Sequence, residues 1–452
     1  MTMQHSTFAD GPARFGAWHT RANHHARPRP TRARVAAGAA ALSLVLMASW
    51  PGGAMTVRAA SRAGVSQGTA AAQQPLLPGP VPAGLATDAV LVQPTAPPPP
   101  FTPAITARLT AALSRLRAAD HLPGIQAVVR YPDGAAWKGH AGFADLADHQ
   151  VMGTLTLLDA GSITKTFVAA LAIQLAGQGV FGLDDPVERW LPDLPYVSGV
   201  TIRELLDHTS GIEDPFNNKP FLAALGDHPS RAWTAAQVLA QVGKPYFAPG
   251  QGWAYSNANY ILLGQVIERA TGQPLATLLR QRLFGPLRLT HTYLQGEEPV
   301  SGPVAHGYEY TSYRTWKVKD LSDGSPYLPF TSLATSLGAA GALVTTADDL
   351  ARWALYLYRG RVLPPAELSQ MLDFGLTSAF HPTLPYGLGV QRRSLDGLGS
   401  WGHAGSLSGF RAAMRYFPSA GVSITVMANG EDIDPDAAVA SLLAALYPPA
   451  GT

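Results

Sequence analysis

The sequence predicts a mixed α/β (α+β) fold: an antiparallel sheet built from N- and C-terminal strands and flanked by helices, with a mainly helical region inserted between them. Three observations predict it. Strand-like apolar stretches run from Gly124 to Leu146 and again from Tyr386 to Asn429, helical spacing dominates between them, and a helical pattern opens and closes the folded part.

The elements follow in order. Ala104 to Ala119 repeats apolar residues at helical spacing, and Gly124 to Leu146 reads as two strands joined at Pro132-Asp133-Gly134. Ser162 to Ala176 is apolar almost all the way round, which predicts a helix buried at the centre. Helical segments at Ala235 to Val242, Tyr260 to Thr271 and Ala347 to Tyr358 alternate with turns as far as about Leu376. Tyr386 to Arg393, Arg411 to Phe417 and Val422 to Asn429 return to strand signals, with Pro418 to Gly421 as a hairpin loop, and Pro435 to Leu446 closes as an apolar helix. No internal repeat is present.

Ahead of these elements the chain is different in kind. Residues 1 to 61 hold seven arginines and one aspartate, leaving 26 basic against 30 acidic residues beyond them. The folded part therefore offers no electrostatic reason to bind nucleic acid. Six arginines up to Arg34, the apolar run Val35 to Trp50 and the small residues at 52 to 54 follow the plan of a secretory signal, so residues 1–60 are expected to direct export to the periplasm or the exterior. An uncleaved segment would act as a membrane anchor, although sixteen apolar residues are short for a bilayer span. Residues 61–103, rich in Ala, Pro, Gly and Gln, are expected to form a disordered tether to a domain at 104–452. The chain has no cysteine, which excludes thiol catalysis, thiolate metal sites and disulfides.

A serine is a useful nucleophile only when a neighbour takes its proton, and a lysine three residues later on a helix lies on the same face one turn away. Ser162-Ile-Thr-Lys165 is the one S-x-x-K in the chain, and the apolar residues after it predict a desolvated amine able to act as a base. The competing structural reading is that Ser162 caps the helix and Lys165 reaches past it to solvent. Tyr255-Ser256-Asn257 is the one Y-x-N; a phenol near a lysine can shuttle a proton, and an amide can position a carbonyl. Its competing reading is a core tyrosine beside a helix start. In Trp401-Gly402-His403-Ala404-Gly405-Ser406, small residues at a strand edge would let a substrate backbone approach, unless the stretch is a turn between strands.

These three elements, in this order, resemble the serine beta-lactamase, D-alanyl-D-alanine carboxypeptidase and esterase family, particularly its class C-like branch. The resemblance extends to Leu205–Ile212, Gly338–Leu350 and Tyr386–Gly389 and covers about residues 104 to 447. It implies that Ser162 is acylated, that Lys165 and Tyr255 share the general-base and general-acid work, that Asn257, His403, Gly405 and Ser406 contact substrate, and that the Ser162 and Ser406 N–H groups form an oxyanion hole. Where beta-lactamases of this branch usually carry Lys-Thr-Gly, this chain has His403-Ala404-Gly405. A mostly neutral imidazole and a missing hydroxyl predict weak recognition of carboxylates, so neutral esters are expected to react better than cephalosporins.

Two further patterns are set aside. Gly64-Val-Ser66-Gln-Gly68 matches a nucleophile elbow but lies in the expected tether, and Gly397 to Gly402 matches G-x-G-x-x-G with a strand after it where a dinucleotide site needs a helix. Thirteen histidines without H-E-x-x-H or H-x-H predict no metal. The expectation is a monomeric, cofactor-free serine hydrolase acting on small ester, amide or peptide substrates, the alternatives being a beta-lactamase and a non-hydrolytic receptor for penicillins or cell-wall peptides. Keeping both Lys165 and Tyr255 favours hydrolysis, because binding alone does not need a proton-transfer pair.

Overall fold

A computed structural model describes residues 97–447. The expected signal or anchor at 1–60, the tether as far as residue 96 and the Gly64–Gly68 pattern lie outside the described residues. The end of the expected tether does not hang free. Phe101 stacks on Tyr131 with ring centroids 4.3 Å apart, and the Tyr131 hydroxyl donates to the Pro99 carbonyl at 2.7 Å. A single aromatic residue among prolines can bury a ring face without any periodic pattern, so nothing local announces this contact. Among the described residues, no helix is long and apolar enough to cross a membrane.

Helix α1 (Pro103–Ala119) starts where Thr102 accepts a hydrogen bond from the Ile105 N–H and a proline fills the first helical position. It is followed by β1 (Gly124–Arg130), β2 (Ala136–Asp145) and the short β3 (Gln150–Val151). Helices α2 (Thr164–Gly177), α3 (Asn257–Thr271) and α4 (Ala347–Tyr358) lie in the long inserted region. The chain then returns as β4 (Gln391–Leu395), β5 (Leu398–Leu407), β6 (Phe410–Phe417), β7 (Val422–Ala428) and the closing α5 (Pro435–Leu446). One antiparallel sheet results, in the order β3-β2-β1-β7-β6-β5-β4. Its two halves meet where Ile125 pairs with Ala428 and Arg130 with Ser423.

The sheet is covered on both faces, and its strands divide their residues by period two. Ile125, Ala127 and Val129 of β1, with Ile424 and Val426 of β7, pack under α1 and α5; Val128, Met414 and Met427 belong to the larger core on the opposite face. That core is centred on α2, whose residues Thr164 to Ile173 are all buried. Trp353 of α4 stacks on Phe167 at 4.0 Å and donates its indole N–H to Thr166 at 2.9 Å. A three-stranded sheet from 158–159, 343–345 and 293–294 lies beside the N-terminus of α2 and holds the segment that leads into Ser162. The Gly397 to Gly402 pattern is the turn and strand of a β4–β5 hairpin, with Asp396 and Gly397 both at positive φ.

Candidate active site

Ser162 sits in a 3-10 turn, Gly161–Ile163, and α2 itself begins at Thr164, two residues later than the apolar pattern suggests. The turn is held from several sides. Gly161 adopts φ +51, its N–H donates to buried Asp159 at 2.6 Å, and its carbonyl accepts from the Thr164 hydroxyl at 2.6 Å. Gln295 holds the other oxygen of Asp159 at 3.0 Å, and Ala160 N–H donates to Leu343 at 2.8 Å. Ser162 makes no capping bond, so its hydroxyl is left for other partners.

Those partners are the two residues singled out by spacing. Lys165 Nζ lies 3.1 Å from Ser162 Oγ, and the Tyr255 hydroxyl donates to the same oxygen at 2.7 Å. Lys165 does not reach solvent; it is fully buried, its Nζ bonded to Asn257 Oδ1 at 2.8 Å and to the Ala340 carbonyl at 2.7 Å, and lying 4.8 Å from the centroid of the Tyr255 ring. Burial lowers its pKa to about 7, against the opposing pull of the Asp214 carboxylate. Burial moves the Tyr255 phenol the other way, well above its ordinary value. A neutral Lys165 amine has two hydrogens for its two fixed acceptors and one lone pair left over, and the remaining neighbour of Nζ is the Ser162 hydroxyl.

Asn257 and His403, expected to contact substrate, both turn into the protein. Asn257 is buried, with Oδ1 taken by Lys165 and Nδ2 donating to Asp214 Oδ2 at 2.8 Å. His403 is fully buried; its Nε2 pairs with the Tyr386 hydroxyl at 2.9 Å and its Nδ1 with the Ala404 carbonyl at 2.6 Å. With Tyr386 hydroxylic and Ala404 acceptor-only, Nδ1 carries the hydrogen and Nε2 accepts. Desolvation, then the nearby Lys165, holds His403 well below the ordinary histidine range. The ring therefore stays neutral and offers no cation to a substrate carboxylate. His208 backs Tyr255, ring centroids 4.3 Å apart, while its Nδ1 receives the Ser256 N–H at 3.3 Å.

Gly405 and Ser406 stand on β5 beside the nucleophile. β4 pairs with β5 only as far as Gly402, so residues 403 to 407 keep one edge toward the Ser162 turn. A Cβ on Gly405 would fall 2.0 Å from the Ala160 carbonyl oxygen, and one on Gly161 would fall 2.9 Å from the Ser406 nitrogen. Glycine at both positions lets the strand edge and the turn touch, which brings the backbone nitrogen of Ser406 against Gly161, the residue before Ser162.

Sequence reasoning missed Asp214 and Tyr386 as neighbours of the site, and missed what Ala340 does there. Asp214 lies just past the Leu205–Ile212 stretch and Ala340 within Gly338–Leu350, but neither position alone signals a partner for a lysine. Among the described residues, Asp145, His306 and Asp320 are the side chains whose ligand atoms, within 4.8 Å of one another, could hold a metal ion. His306 Nδ1 already pairs with Asp320 there, at 2.7 Å.

The beta-lactamase family model matches residues 109–447, the greater part of the chain. The chain belongs to the beta-lactamase family. It is 29% identical over 313 residues to a penicillin-binding protein of Bacillus subtilis, covering 66% of each, and 29% identical over 330 residues to a D-aminopeptidase of Brucella canis, covering 72% of this chain and 60% of that one. It thus spans less than two thirds of the aminopeptidase's length and about two thirds of the other's. A D-stereospecific amidohydrolase from Streptomyces sp. superposes with a TM-score of 0.64 at 31% identity, covering 78% of this chain and 100% of that one. The beta-lactamase fold and its relatives are thus those the three motifs suggested.

Proposed function

We propose that this beta-lactamase family member is a serine hydrolase that acylates Ser162 with esters or amides, above all amides and short peptides of D-amino acids. One observation supports it most: Ser162 Oγ lies between a buried amine at 3.1 Å and a half-buried tyrosine's phenol at 2.7 Å. Lys165, its charge disfavoured by burial, takes the Ser162 proton as Oγ attacks the substrate carbonyl carbon. The Ser162 and Ser406 N–H groups face the oxyanion of the tetrahedral intermediate. As that intermediate collapses, the bond to the leaving nitrogen or oxygen breaks and the proton reaches the leaving atom through the Tyr255 hydroxyl. Water then enters, loses its proton to the same pair, and releases the acid. Tyr255 suits the second role better than the first, because burial makes its phenolate costly while leaving it a hydrogen-bond donor.

The D-amino-acid preference rests on the likeness to a D-aminopeptidase and a D-stereospecific amidohydrolase, and the neutral His403 disfavours substrates that need a cation for a carboxylate. We further propose export, on the basic, apolar and small-residue order of residues 1–54. The purified protein should be offered D- and L-phenylalanine amide, a short-chain p-nitrophenyl ester, a D-alanyl-D-alanine peptide and a chromogenic cephalosporin. Turnover of the D-amide and the ester above the cephalosporin is expected. A stoichiometric burst on the cephalosporin with no turnover of any substrate would make the protein a receptor instead.

A further inference from the structure

Asp214 is a buried carboxylate that no step above uses. It stands at the start of the turn Pro215–Asn217, 6% exposed, with Oδ1 accepting the Phe216 N–H at 3.1 Å and Oδ2 accepting Asn257 Nδ2 at 2.8 Å. The partner amide is the one that binds Lys165. A primary amide can be turned over at almost no cost in shape, exchanging its acceptor for its donor, so something must choose between the two orientations. The Lys165 ammonium favours Oδ1 toward Nζ by itself, but once the amine is neutral it can also accept, and an acceptor on the far side from Lys165 then holds that orientation.

We propose that Asp214 is a positioning residue of the reaction, locking the Asn257 amide with its oxygen toward Lys165 and facing that lysine with a buried negative charge. The inference rests on Lys165 acting as the base. The consequence is specific. With Oδ1 toward Lys165, Asn257 and the Ala340 carbonyl take the two hydrogens of the neutral amine and leave its lone pair for Ser162. An inverted amide would donate into that lone pair and remove the base without moving a single heavy atom far. Burial raises the pKa of Asp214 itself, against the opposing pull of its hydrogen bonds and of Lys165; in its ionised form the carboxylate raises the proton affinity of Lys165 against a desolvation that lowers it.

The other groups facing this pair do not replace it. His208 and His403 are both held neutral by burial, the Tyr255 and Tyr260 rings stand 4.8 and 5.5 Å from Nζ and stay un-ionised, and Asp214 is the carboxylate whose charge acts on Lys165. On its own side Asp214 meets Tyr246, whose phenol is also raised by burial. Glu213, next in the chain, is part-exposed.

The test is Asp214→Asn, which keeps the shape. An amide at 214 has one acceptor for two donors, so either Phe216 or Asn257 loses its bond, and Asn257 is freed to invert. The rate of Ser162 labelling by a fluorophosphonate should be followed against pH, because it needs no knowledge of the natural substrate. The plateau is expected to fall at least about tenfold, in the lower range for a misplaced general base. The acid limb should move down by at least about half a pH unit, since a lost opposite charge lowers the pKa of an ammonium. Loss of packing alone would lower the plateau but leave the limb where it is. A plateau within about twofold of wild type, or a limb that stays or moves up, overturns the assignment. If Asp214→Asn does not fold, Asp214→Glu carries the test: it keeps the charge but displaces it by one methylene, so the limb should stay while the plateau falls, and a wild-type plateau overturns positioning. Lys165→Arg run alongside separates the two ideas. Wild-type labelling in Lys165→Arg sinks the base itself, whereas an inactive Lys165→Arg beside an unaffected Asp214→Asn sinks only the role of Asp214.

Discussion

Gly405→Ala is the sharpest structural test of the site. The added Cβ would lie 2.0 Å from the Ala160 carbonyl oxygen, where real contacts do not fall below about 3 Å. No rotamer relieves a clash of a methyl with backbone, and both backbones are tied: Gly405 is in register with Ala412, and Ala160 donates to Leu343. Strand β5 and the Ser162 turn must therefore separate by at least about 1 Å. Overpacking of this kind destabilises by about 1–3 kcal/mol. The larger effect falls on rate, because the Ser406 nitrogen moves with the strand; a misplacement of about 1 Å costs on the order of 100-fold, or about 2.7 kcal/mol in the barrier. Fluorophosphonate labelling of Ser162 measures the rate, and thermal melting by circular dichroism measures the fold. Gly399→Ala is the control, since a Cβ there meets nothing within 4 Å on the same strand. A Gly405→Ala variant that labels at the wild-type rate would show that the strand edge is not held against the nucleophile, and the oxyanion-hole assignment would fall with it.

Three further outcomes are expected. Lys165 must be neutral to accept a proton, and its pKa is lowered to about 7, so acylation should rise as pH increases through about 7 and fall below it; Lys165→Arg, always charged, should lose at least about 100-fold. A wild-type profile in Lys165→Arg contradicts the role. His403 is held well below its ordinary range, so the ratio of cephalosporin to ester turnover should not improve between pH 8 and pH 6, and a gain that disappears in His403→Ala would show that the ring does charge. Phe101→Ala should lower stability by about 0.5–1.5 kcal/mol through loss of the Tyr131 stack, and an unchanged denaturant midpoint would mean that the stack contributes nothing.

Much of the architecture was legible because its signals are local. The strand-like apolar stretches of β1 and β7, the all-round apolarity of α2 and the turn residues at Pro132–Gly134 each depend on neighbours within a few positions. The spacing of Ser162 and Lys165 belongs to the same class: three residues on a helical turn bring two side chains together whatever the rest of the chain does. Local signals misjudged the start of α2, because the positive φ of Gly161 and its bond to Asp159 hold Ser162 in a separate turn.

The sequence by itself determined which residues could do the chemistry: one S-x-x-K, one Y-x-N, and a lysine set among apolar residues. Only the tertiary structure decided what each of them touches. Tyr255 reaches Ser162 from 93 positions away, Ala340 reaches Lys165 from 175, and Asp214 turns Asn257 toward that lysine across 43. The same decision took His403 from the cleft into a bond with Tyr386. Such contacts leave no mark on their own stretches of chain, because they exist only once the large sheet and the inserted helices have closed around α2, and it is that closure, by excluding water, that lowers the Lys165 pKa to about 7.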